Sequence, residues 1–138
     1  MIVTFIVEGE PQGKGRHRTT KKGITYTPDK TVLYENWVKV CYQSRTINKT
    51  LEGPLAMYID AYYTIPKSKS KKIKEQMRKG ILRPQKKPDS DNIAKAILDS
   101  LNGIAYKDDA YVVDLTVRKY WADEGFVKVR LEELEPEE

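Results

Sequence analysis

The sequence predicts a single α/β (α+β) domain, a small mixed β-sheet with helices packed mainly on one face. Three observations predict it. The length of 138 residues suits one domain with a real core. Apolar residues alternate in some stretches and recur at three- and four-residue spacing in others, which marks strands and amphipathic helices respectively. The resulting order is β, α, β, α, α, β, β, without internal repeats or a low-complexity linker. The domain is expected to span residues 1–134, with 135–138 as an acidic, frayed tail.

Each element has its own signals. Met1 to Glu8 is rich in Val, Ile and Phe and reads as a strand, not as a signal peptide, because it has no basic n-region and no small-residue cleavage site. Glu10 to Lys22 reads as a cationic loop carrying Pro11, Gly13 and Gly15, and Gly23 to Thr27 as a short strand or hairpin arm. Thr27-Pro28-Asp29 combines an N-cap, a proline at the first helical position and an acid in the first turn, so a helix is expected from there to about Ile47. Leu33, Trp37, Val40 and Cys41 are expected to face the core from it. Gly53-Pro54 breaks the chain, and Leu55, Met57, Ile59, Ala61 and Tyr63 then share one face of a strand that Pro66 ends. Ser70 to Lys79 reads as a basic helix closed by Gly80 and docked lightly through Ile73 and Met77. A further helix is expected over about Ser90 to Asn102, burying Ile93, Ile97 and Leu101. At roughly 100° per residue, Asp91, Lys95 and Asp99 form a polar stripe opposite that core face. Two last strands, 110–121 and 126–134, are expected to pair antiparallel around Ala122–Gly125, with Val113, Leu115, Val117, Val127, Val129 and Leu131 inward.

Composition narrows the function classes. Charged residues make up 33% of the chain and hydrophobic residues 39%, which points to a soluble, rather polar protein without a membrane span. Cys41 is the only cysteine and His17 the only histidine, so an intrachain disulfide is excluded and zinc chemistry disfavoured; a reducing cytoplasm is the expected location. Net charge is +5, and the cations are concentrated. Between Lys67 and Lys87 there are ten Lys or Arg residues, among them Lys69, Lys71, Lys72, Arg83, Lys86 and Lys87, against one acid, Glu75. Lys14, Arg16 and Arg18 form a second basic group in the glycine-bearing loop. Two basic segments suggest a polyphosphate partner, although charge alone also fits a solvated helix face and a loop. The loop is not a Walker A motif, since Gly13-Lys14 lacks the upstream glycine spacing and the following Ser or Thr.

Within this basic chain, Asp89, Asp91, Asp108 and Asp109 fall in 21 positions. Carboxylates repel phosphate, and a divalent metal removes the conflict: Mg²⁺ takes one or two protein carboxylates together with waters and substrate phosphate. Acids surrounded by bases is therefore the composition of a metal-dependent nuclease. The simpler reading of Asp89 and Asp91 is an N-cap and a first-turn acid. Lys95 suits either an i, i+4 ion pair with Asp91 or a phosphate contact. Asp99 reads as an exposed helix residue or, alternatively, a residue supporting the metal ligands, Asp108 as a cap or a further metal ligand, and His17 as an exposed loop residue or, alternatively, a DNA contact. A helix of about 13 residues spans roughly 20 Å, so spacing alone does not bring Asp109 to Asp89 and Asp91. Trp37 and Trp121 read as packing residues.

The run Pro88-Asp89-Ser-Asp91-Asn92-Ile-Ala-Lys95-Ala96-Ile-Leu-Asp99-Ser100-Leu101, followed by Asp108-Asp109, resembles the signature of the RusA family of Holliday junction resolvases. Pro11-Gln-Gly-Lys14-Gly-Arg16-His-Arg18 is similar to that family's basic loop after its first strand. Ser100 stands where the family commonly has Ala, and the 102–107 connector differs in length from some members. The resemblance implies a RusA-like fold and a Mg²⁺-dependent (or Mn²⁺-dependent) endodeoxyribonuclease of bacterial or prophage type. It implies Asp89, Asp91 and Asp109 as metal ligands and Lys95 as a catalytic residue. It further implies branched DNA as the partner and, since resolution needs two symmetric nicks, a homodimer without a small-molecule cofactor. Lys14, Arg16, Arg18, Lys69, Lys71, Lys72, Arg83, Lys86 and Lys87 are the expected DNA contacts. The rivals are a nuclease acting on flaps, forks or single strands, and a DNA-binding module without catalysis.

Overall fold

The structure, a computed structural model, describes residues 1–15, 18–26, 29–46 and 49–135, apart from the side chains of Arg18 and Tyr26. The expected DNA contact Arg16, His17, the Arg18 side chain, the Thr27-Pro28 helix start, Ile47 and the last three residues of the tail lie outside the described residues. Strand β1 (Ile2–Glu8) is followed by a small hairpin of β2 (Arg18–Thr19) and β3 (Thr25–Tyr26). Helix α1 (Asp29–Thr46), strand β4 (Leu55–Thr64), helix α2 (Lys71–Arg78) and helix α3 (Ser90–Leu101) come next. A single 3₁₀ turn (Asp109–Tyr111) leads into β5 (Val112–Ala122), and β6 (Phe126–Glu133) ends the fold. The expected elements are all present, and the mixed-sheet class holds.

The main sheet has the order β1-β6-β4-β5. β6 runs antiparallel to both β1 and β4, while β4 and β5 are parallel. The expected β5–β6 hairpin is therefore wrong, because β4 lies between those two strands. β4 buries Leu55, Ala56, Met57, Ile59, Ala61 and Tyr63, and pairing both of its edges satisfies the backbone of the most buried strand. The 123–125 turn instead crosses the end of β4. Ile65 N–H donates to the Ala122 carbonyl at 2.9 Å, and Gly125 N–H to the Thr64 hydroxyl at 2.9 Å.

Val3, Phe5 and Val7 of β1, the odd residues of β4, and Val127, Val129 and Leu131 of β6 form one buried cluster with α1 and α3. Helix α3 contributes Ile93, Ala94, Ala96, Ile97 and Leu101, the face its spacing predicts. Burying each such aliphatic side chain contributes about 1.5–3 kcal/mol. Helix α1 buries Thr31, Tyr34, Val38 and Tyr42, and of the four expected residues Cys41 alone packs against the core, in part. Leu33, Trp37 and Val40 are exposed, and Cys41 is half-buried. Tyrosine rings carry this stripe because they bring apolar area, and at Tyr42 the hydroxyl also reaches backbone. The Tyr42 ring packs edge-on against Phe5, and its hydroxyl donates to the Lys49 carbonyl. Trp37 spends its indole N–H on the Glu8 carbonyl at 2.9 Å, at the rim of the sheet. Trp121 packs against the core as expected. Helix α2 starts at Ser70, whose hydroxyl accepts from Ile73 N–H, and it buries only Met77. Among the described residues, no helix is long and apolar enough to cross a membrane.

Candidate active site

The cleft nearest the acidic segment lies between the first turn of α3, the loop after β1 and the start of α1. It has a volume of about 1060 Å³, and Gly13, Lys14, Lys30, Lys87, Asp89 and Asp91 are among its lining residues. The loop is held there by three sets of bonds. Lys14 N–H donates to the Asn92 carbonyl at 3.2 Å, and Gly15 N–H to the Thr31 hydroxyl at 3.0 Å. The third set is made by the Lys14 side chain. Gly13 is closely approached: a Cβ there would meet the Asn92 carboxamide and stand 3.1 Å from Pro88 Cβ, so one of these side chains would have to shift.

Asp89 occupies the N-cap position of α3 with extended backbone, yet its carboxylate accepts no capping hydrogen bond. The capping role that spacing alone would assign to it is not performed. Asp91 sits in the first turn, and both acids are exposed to the cleft. Two hard-oxygen donors that have no hydrogen-bond or ion-pair partner among the described residues, beside open volume, fit a divalent cation of the Mg²⁺ type, which needs few protein ligands.

Lys14 does not point to solvent. Its ammonium lies 3.0 and 3.1 Å from the Glu35 carboxylate oxygens and 3.3 Å from Asp99 Oδ2. The three side chains are only 14%, 15% and 24% exposed. Burial alone would push the Lys14 ammonium down, but the Glu35 carboxylate and then Asp99 overcome that and hold it above its ordinary value. The expected phosphate contact is thus an internal tie between loop, α1 and α3. Asp99, expected to be a free helix residue, is a member of that tie. It also receives Lys95, whose Nζ lies 3.5 Å away while its side chain stays 64% exposed.

Asp109 lies farther along α3 from Asp89 and Asp91. Its N–H donates to Asn102 Oδ1 at 2.8 Å, so the residue after α3 anchors the return of the chain. Burial, then the hydrogen bond and charge of Asp108, then the charge of Asp99 push the Asp109 carboxyl above the usual carboxylate range, with Lys95 opposing them. Asp108 caps the 3₁₀ turn by accepting from Ala110 N–H at 3.0 Å, which holds its own carboxyl low. Asp91, Lys95, Asp99 and Asp109 therefore form a charged track along one side of α3. Among the described residues, no three His, Cys, Asp or Glu side chains gather closely enough to hold a metal ion, so Asp109 is not assembled with Asp89 and Asp91.

The expected basic surface is exposed at Lys69, Lys71, Lys72, Arg83, Lys86 and Lys87. Its connector is tied to the sheet by aromatics. Arg83 stacks 4.2 Å from the Tyr120 ring centre and donates to the Lys119 carbonyl. Lys119 and Lys86 lie 5.1 and 6.0 Å from the Tyr63 ring, whose hydroxyl donates to the Pro88 carbonyl at 2.7 Å. These contacts fix Lys87 and Pro88 at the entrance to α3. Sequence reasoning missed Glu35, Asn102 and Lys119. Glu35 is one acid on a helix face like any other; only the inward course of Lys14 gives it a role.

Comparison with known proteins adds two findings. The family model described as endodeoxyribonuclease RusA matches residues 8–132. The uncharacterized protein YqaN of Bacillus subtilis (strain 168) is 38% identical over 137 residues, covering 96% of each chain.

Proposed function

The chain belongs to the RusA endodeoxyribonuclease family, hydrolases acting on DNA, and from that premise we propose a Mg²⁺-dependent enzyme that resolves four-way DNA junctions by paired symmetric nicks. The observation that carries the reading is the pair of Asp89, whose carboxylate makes no capping hydrogen bond, and Asp91, both facing a cleft rimmed by Lys30 and Lys87. Asp89 and Asp91 would hold the cation, with substrate phosphate and water completing its shell. When bound, such a cation supplies an activated water and neutralises charge on the phosphoryl oxygens.

The remaining roles belong to the chain itself. Lys95 is the exposed cation one turn beyond Asp91 and can meet the scissile phosphate, while Asp99 restrains its swing through the 3.5 Å contact. Asp109 joins this group through Lys95 and Asp99, whose charges act on its carboxyl. Lys14 keeps Asp99 in place and keeps the loop against Asn92. Lys69, Lys71, Lys72, Arg83, Lys86 and Lys87 contact backbone phosphates, which gives affinity without sequence information. Two symmetric nicks from one active site per chain require a homodimer.

The test is Asp91→Asn. Binding to a labelled four-way junction is expected to persist or tighten, since a repelling charge is lost, while nicking in Mg²⁺ disappears. Nicking at the wild-type rate would refute the assignment.

A further inference from the structure

β5 is an edge strand. Edges of this length are ordinarily short, bulged, charged or covered, because unpaired N–H and C=O groups recruit another strand. Here only the last part is covered. Arg83 Nε–H occupies the Lys119 carbonyl at 2.6 Å, and at the other end a register shift sets off Val113. Between them Asp114-Leu-Thr-Val-Arg118 is open. Leu115 is 46% exposed although its register partner in β4 is the fully buried Met57. It points to the core face of the sheet, and the described residues cover it only in part.

The direction of the free backbone groups follows from neighbouring bonds. The Ala122 carbonyl points toward β4, where it accepts from Ile65 N–H, and the Lys119 carbonyl points away, where Arg83 reaches it. Backbone groups alternate along a strand, so Leu115 and Val117 present theirs outward. We propose that this segment pairs with itself, antiparallel, across a two-fold axis at Thr116 of two copies of the chain. In that register Leu115 of each copy faces Val117 of the other as a hydrogen-bonded pair. Asp114 of each copy then faces Arg118 of the other on the face opposite α1 and α3. Antiparallel registers centred on Leu115 or Val117 would not place Asp114 opposite Arg118. A two-fold interface must be self-complementary, and an Asp–Arg pair two residues either side of the axis meets that requirement twice. The two sheets become one continuous eight-stranded sheet, and Leu115 and Val117 are covered by their counterparts. The proposal deepens the homodimer reading by naming its surface and rests on that reading for its purpose.

The test is a charge-swap series measured by analytical ultracentrifugation at low micromolar concentration, with far-UV circular dichroism as a check on folding. Wild type is expected at twice the chain mass. Asp114→Arg and Arg118→Asp, each of which places like charges opposite one another, are expected to weaken the dimer at least tenfold. The double variant D114R/R118D is expected to restore it. A monomeric wild type would overturn the proposal. So would single variants that dimerise like wild type, or a double variant as dissociated as the singles. Dissociation by Leu33→Glu together with intact D114R dimers would assign the interface to the exposed face of α1 instead. Junction nicking is scored separately: a dimer sensitive to the swap that leaves junctions uncut would keep the interface and remove the functional reading.

Discussion

Replacing Lys14 by Met separates an internal tie from a phosphate contact. The substitution keeps the stem and removes the ammonium, leaving Glu35 and Asp99 without their shared cation. Both carboxylates are less than a quarter exposed, so water replaces the lost bonds only in part. Removing one partner of a fully buried pair costs about 3–5 kcal/mol, and an exposed pair contributes at most about 1 kcal/mol. The intermediate exposure here places the loss near 2 kcal/mol. In a domain of this size that lowers Tm by about 6–10 °C. The shifted Lys14 titration gives the pH sign. Its pKa is raised above the ordinary 10.5, so the stabilisation is complete below that value and fades only as pH climbs through the higher folded value. The loss should therefore be the same at pH 6 and pH 9. The second readout is the slope of log Kobs against log salt for DNA binding, which falls by about 0.9 for each phosphate contact removed. Because Lys14 is turned inward, Lys14→Met should leave that slope unchanged. Unaltered urea stability together with a slope lowered by about one would refute the reasoning.

Other predictions follow from the same contacts. Lys87→Ala, at an exposed cation on the rim of the cleft, should lower the salt slope by about one with stability within about 0.5 kcal/mol of wild type, as read by fluorescence anisotropy and urea titration. Gly13→Ala pushes the loop against the Asn92 carboxamide and Pro88 and should reduce nicking and lower Tm; normal values for both would show that these side chains yield without cost. Glu133 accepts from Glu52 N–H at 2.9 Å, and that bond holds its carboxyl below the usual 4.5. Its contribution is present above pH 4.5 and disappears as pH falls through the depressed value, so Glu133→Gln should destabilise the protein at pH 7 and flatten its acid-induced loss of stability.

The sequence was most legible where one period dominates. The α3 stripe of Ile93, Ile97 and Leu101 is apolar at clean helical spacing and is buried as expected. Ser70 and Gly80 mark the ends of α2 because each solves a local backbone problem. The register of α1 was misread because Leu33, Trp37 and Val40 outweigh tyrosine on any hydrophobic count, whereas Tyr34 and Tyr42 are the residues buried. The β5–β6 hairpin looked secure from a short turn, but which strand occupies the middle of a sheet is a non-local matter, decided by how much of β4 needs covering. The site shows the same division. Local spacing marks Asp89, Asp91 and Lys95 as charges at a helix start and leaves caps and ion pairs open; their expected site roles come from the family resemblance. The inward course of Lys14 depends on Glu35, 21 residues away, and the place of Asp109 on the Asn102 carboxamide.

The central claim is tested most directly by incubating the wild-type protein in Mg²⁺ with a labelled four-way junction, a flap and a linear duplex of the same sequence. Paired nicks at symmetric positions in the junction, with flap and duplex intact, are predicted. Cleavage of the flap alone would assign a different branched substrate, and three uncut substrates with the junction still bound would contradict the account.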